Sequence, residues 1–111
     1  MGQTGFNPRW FLGNYVTAVT AAGTTQATAT ILTGDWAKVS TIGSGAGVVL
    51  VEAPFPNPKG VMNAAAANEL RVYPWSGAAF NGRTVNDPLV LPIGHASLFV
   101  CLAPTDIFAI F

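Results

Sequence analysis

Ala96-Ser97-Leu98-Phe99-Val100-Cys101-Leu102-Ala103 and Asp106-Ile107-Phe108-Ala109-Ile110-Phe111 are two apolar runs separated by the dipeptide Pro104-Thr105. Both are short and rich in β-branched and aromatic residues, which suits strands better than helices. The proline ends the first run because it cannot donate to a ladder. They read as a final antiparallel pair, Ala96–Ala103 with 106–111. From Ile107 to Phe111 the second run has no polar face. Such a strand either lies between two packed layers or has one face covered by another subunit, since left bare it templates aggregation.

The same pattern of short runs and breaks continues upstream. Residues 15–20 and 24–33 are rich in Thr, Val and Ala with period-two alternation, and Gly34-Asp35 turns the chain into a short strand over 36–41. Gly43-Ser44-Gly45-Ala46-Gly47 is a flexible turn before Val48-Val49-Leu50-Val51, a run of the buried-strand type. Pro54, Pro56 and Pro58 alternate with Phe55, Asn57 and Lys59, which predicts an extended surface loop where no sheet continues. A strand over 60–63 follows. Residues 63–68, with Asn63 as a candidate cap, are a connection of at most one helical turn. In 69–73, Leu70 and Val72 alternate against Arg71 and Tyr73, and Pro74-Trp75-Ser76-Gly77 punctuates. Asn81-Gly82 is a turn dipeptide that supplies positive φ, and Leu89-Val90-Leu91 is one more brief strand. Many short strands with frequent turn signals predict an all-β fold: a single antiparallel β-sandwich, jelly-roll or small barrel over 15–111.

Residues 1–14 read as an extended N-terminal arm. Gly2, Gly5, Asn7, Pro8, Gly13 and Asn14 oppose a regular element, yet Phe6, Trp10, Phe11 and Leu12 are bulky and apolar. Those four are candidate docking residues, with Phe108, Ile110 and Phe111 of the last strand. Only 9% of residues are charged while 50% are apolar, and the formal net charge is zero. So few charges leave much neutral or apolar surface, which is the kind that meets a partner. Zero net charge argues against an electrostatic nucleic-acid binder. No run approaches the ~20 apolar residues of a membrane span, and the N-terminus lacks the basic and apolar regions of a signal peptide.

Catalytic and metal patterns are weak throughout. Asp35, Glu52, Glu69, Asp87 and Asp106 are scattered, without the spacing of a metal or acid/base motif. His95 is the only histidine and reads as a turn residue beside Gly94; none of Ser40, Ser44, Ser76 or Ser97 stands in a nucleophile elbow. The single Cys101 reads as a small buried hydrophobe. The 43–47 glycine run lacks the Gly-Lys-Ser/Thr and the helix of a phosphate loop. Trp75, in a turn, is the candidate exposed aromatic for a sugar-stacking platform. The expectation is a non-enzyme without cofactor or metal.

Val61-Met62-Asn63, then Asn68-Glu69-Leu70-Arg71-Val72-Tyr73-Pro74, Ser76-Gly77 and Phe80-Asn81-Gly82 resemble a pattern of small tailed-bacteriophage virion proteins. Leu91-Pro92-Ile93-Gly94-His95-Ala96-Ser97-Leu98-Phe99-Val100 is similar as well, with His95 where many relatives carry a basic residue. The resemblance covers about half the chain and rests on turns and strand ends, which fix backbone conformation and carry no reaction. It implies a β-rich structural component of the virion: a capsid decoration or cement protein, or a head-fibre or tail component, most often a homotrimer. The implied partners are other copies of the chain and the major capsid protein or another virion protein, at the capsid surface. The alternative expectation is a carbohydrate- or receptor-binding β-sandwich module of a phage fibre or tail, resting on Trp75.

Overall fold

The computed structural model describes residues 15–52 and 58–111. Ten strands form two sheets, and no helix occurs among the described residues. The chain winds through three coils, each giving one strand to either sheet. β1 (Tyr15–Ala21) and β2 (Thr30–Leu32) make the first coil, β3 (Trp36–Ile42) and β4 (Gly47–Leu50) the second, β5 (Pro58–Asn63) and β6 (Leu70–Tyr73) the third. Strands of successive coils pair in parallel: β1 with β3 and β3 with β5 in one sheet, β2 with β4 and β4 with β6 in the other. The register partners Trp36 with Gly60 and Gly47 with Arg71 are each 24 residues apart, Tyr15 with Trp36 21, and Thr30 with Val48 18.

The remaining strands end the winding. β8 (Leu89–Leu91) runs antiparallel beside β6, and β9 (Ala96–Ala103) antiparallel beside β5. β10 (Asp106–Ile110) pairs antiparallel with β9, as its apolar run and the Pro104-Thr105 break predict. β7 (Ala79–Phe80) lies parallel on the far side of β10. The result is a six-stranded sheet, β1-β3-β5-β9-β10-β7, facing a four-stranded one, β2-β4-β6-β8.

The all-β expectation holds; the antiparallel sandwich or jelly-roll does not. Short links ordinarily join antiparallel neighbours, because parallel neighbours in one sheet need a crossover of a dozen residues or more. Here the crossover is a strand of the opposite sheet, so the links are corners between sheets rather than reversals within one. Such winding is solenoid-like. Two further expectations change. Of 24–33 only Thr30–Leu32 is strand, because Thr28 N and Ala29 N both donate to Thr25 O (3.2 and 2.9 Å) and close a turn. Pro58 does not stay in a loop; it opens β5 opposite Val100.

Alternation decides which side chains fill the space between the sheets. Val39, Val61, Phe99 and Ile107 point inward from one sheet, and Val48, Val72, Leu70 and Leu91 from the other. The Phe80 and Phe99 rings pack at 5.2 Å between centroids. Asn63 is 0% exposed and serves as a polar rivet within this core. Its Nδ2 donates to Leu91 O (3.0 Å) and Asn68 O (3.2 Å), and its Oδ1 accepts from Ala65 N (3.1 Å). Strand β1 carries register shifts between Val16 and Val19 and between Val19 and Thr20, around Ala18 at φ 57°.

Candidate functional site

The outer face of the six-stranded sheet carries a cluster of exposed apolar side chains beside Lys38 and Ser40. Because β3, β5, β9 and β10 are in register, the outward positions form rows across the strands. One row runs Tyr15, Trp36, Gly60, Leu98, Ile110. A second joins Pro58, Val100 and Phe108, and a third Lys38, Met62 and Ala96. Phe111 is 67% exposed, and Tyr15, Met62, Leu102, Phe108 and Ile110 are exposed as well. Lys38 is the one charged residue in these rows.

A groove of about 560 Å³ follows the first row. At its middle the Trp36 ring covers Gly60, lying where a Cβ there would sit. Tyr15 stands at one end and Ile110 with Phe111 at the other. At the strand ends beside it, Lys59 Nζ meets Asp35 Oδ1 at 3.0 Å with both groups largely shielded from solvent, so that pair is already matched.

The candidate docking residues of the last strand therefore stand together: Phe108 and Ile110 project outward from β10 and Phe111 follows, while Ile107 and Ala109 face the core. Phe6, Trp10, Phe11 and Leu12 lie outside the described residues. Trp75 is corrected. It is 7% exposed and its indole Nε1 donates to Pro104 O (2.8 Å), so its ring fills the core beneath the turn instead of offering a platform. The turn reading misplaced it because a Pro-Trp-Ser-Gly corner of a two-sheet coil can point its bulky residue inward.

Among the described residues no three His, Cys, Asp or Glu side chains come together as metal ligands. His95 is exposed in its turn, bound through its backbone to Pro92 and Asn63. Ser97 Oγ donates to Ile110 O (3.0 Å) and is buried. Cys101 is buried with its Sγ 3.2 Å from Ala103 O. No helix among the described residues is long and apolar enough to cross a membrane. Sequence reading missed Met62, Leu98, Val100 and Leu102 as members of the outer face, because their common side depends on which strands become neighbours. The chain matches no protein-family model, no curated protein and no solved structure.

Proposed function

We propose that this chain is a non-enzymatic structural component of a tailed-bacteriophage particle. In this reading it forms a homotrimer and decorates or cements the capsid by non-covalent docking on the major capsid protein or another virion protein. The observation that carries the contact role is the outer face of the six-stranded sheet, where Met62, Leu102, Phe108, Ile110 and Phe111 are all exposed on one side. A contiguous patch of that kind is unusual on a solitary soluble protein and typical of an interface. The low charge content supports the same role. The particle and the threefold state rest on the resemblance of 61–111 to small virion proteins.

Sedimentation equilibrium of the full chain at micromolar concentration tests self-association. The expected species has three times the 11.5 kDa chain mass. The double substitution Phe108→Asp and Ile110→Asp should shift it to monomer with an unchanged β-type circular dichroism spectrum, since both side chains point away from the core. An 11.5 kDa species from the unsubstituted chain would overturn the proposal.

A further inference from the structure

Asn81-Gly82 is the only Asn-Gly pair in the chain. It forms the turn that leaves β7, with Asn81 at φ 50° and Gly82 at φ 72°. Both residues are exposed, and nothing lies within 4 Å of where a Cβ on Gly82 would sit. Gly82 N donates no hydrogen bond among the described residues. A backbone nitrogen that is unpaired, open to water and unhindered by a side chain is well placed to attack the preceding side-chain amide. The other described asparagines lack this neighbour: Asn63 precedes Ala64, Asn68 precedes Glu69 and Asn86 precedes Asp87.

The fold holds the amide away from that nitrogen. Asn81 Oδ1 accepts from Ala109 N (2.8 Å) and Nδ2 donates to Ala109 O (3.1 Å). Both bonds aim the amide at β10, so Cγ reaches Gly82 N only after this clamp breaks. The clamp follows directly on β7, a two-residue edge strand whose only sheet partner is β10. Strand ends of this kind open locally at much lower cost than the core.

We propose that Asn81 is a spontaneous deamidation site gated by its clamp to Ala109, and that the product cannot close the clamp again. In the opened state Gly82 N gives its proton to hydroxide and attacks Asn81 Cγ. The new N–C bond closes a five-membered imide. Nδ2 takes a proton from water and leaves as ammonia, which regenerates the hydroxide. Water then adds to one of the two imide carbonyls and breaks its bond to nitrogen. The result is aspartate or, with the main chain rerouted through the side-chain carbon, isoaspartate; the net change is amide plus water to carboxylic acid plus ammonia. A carboxylate accepts but donates nothing, so Ala109 O loses its donor and faces a negative charge. In isoaspartate the extra main-chain carbon also displaces the carboxylate. The edge of β10 is then bare at Ala109, on the strand that carries Phe108 and Ile110. This chemistry belongs to one chain and does not depend on the particle or on the trimer.

Incubation of the full-length chain at pH 8 and 37 °C, followed by peptide mapping, tests it. In denaturing guanidinium chloride residue 81 should gain one mass unit before any other asparagine, with isoaspartate at that position. The native chain should undergo the same reaction at least tenfold more slowly. Its rate should rise in step with hydrogen exchange of the Ala109 amide as denaturant is added below the unfolding transition, since slow chemistry after fast opening follows the open population. The isoaspartate form, separated from the native incubation by its added charge, should exchange the Ala109 amide at least tenfold faster than the parent. Val48, on a central strand of the other sheet, should keep its protection. Equal rates in the native and denatured chains would overturn the proposal, as would a native chain that never reacts although its Ala109 amide exchanges. Earlier reaction at another asparagine of the denatured chain, or unchanged Ala109 exchange in the isoaspartate form, would overturn it too.

Discussion

Asn63 has a fully buried amide that joins three parts of the chain at the end of β5. Its side chain holds Leu91 of β8 and both Ala65 and Asn68 of the following connection. Its own backbone exchanges bonds with the turn before β9, donating to His95 O and accepting from Gly94 N (both 2.9 Å). Replacing Asn63 by Ala would leave buried backbone groups unpaired, and we expect a loss of about 2–4 kcal/mol in urea unfolding. A change within 0.5 kcal/mol would mean that the contacts are replaced by water. Asn81 works differently: its Nδ2 donates to Ala109 O (3.1 Å) and its Oδ1 accepts from Ala109 N (2.8 Å), so one side chain extends the ladder of β7 along β10. The positive φ of Asn81 and Gly82 was legible in the sequence because it is a local property of the dipeptide. The role of Asn63 was not, since its partner Leu91 is 28 residues away.

Strand β10 shows what alternation reveals and what it hides. Ile107 and Ala109 are buried while Phe108 and Ile110 are exposed, so two opposite faces share one apolar sequence. Truncating Ile107 to Ala should cost about 2–5 kcal/mol by opening a core cavity. For Phe108→Ala, thermal unfolding of the separated monomer should change by less than about 0.5 kcal/mol, as at surface positions away from special features. Equal losses at both positions would show that the outer face is packed within the monomer. Strand positions were readable from short β-branched runs, and the β9–β10 pair from its proline break. The sense of pairing in the coils was not. A corner between sheets and a reversal within a sheet use the same Gly, Asp and Asn residues, and unequal coil lengths leave no repeat in the sequence. The groove needed that pairing, because its residues come from 15, 36, 60, 98 and 110 and meet only once the coils stack.

At the scale of the molecule, two sheets share one core and the larger sheet keeps a second apolar side. Contacts made there depend on removing hydrocarbon from water, and sedimentation should show an assembly that persists from low salt to 1 M sodium chloride. Charge-driven contacts would weaken over that range as the screening length falls to about 3 Å. Dissociation on adding salt would assign the assembly to another surface. Winding in parallel coils also raises the question of what stops one molecule from continuing into the next. The edge strand β1 answers it in part. Ala18 sits at φ 57° with register shifts on both sides of Val19, so the outer edge of β1 is not the straight row of peptide groups that β3 shows to β1. A neighbouring chain that tried to add itself as one more coil would meet that offset and lose its alignment within a few residues. Coil-upon-coil stacking would make a filament without end; the kink at Ala18 takes away the straight edge that such a filament needs.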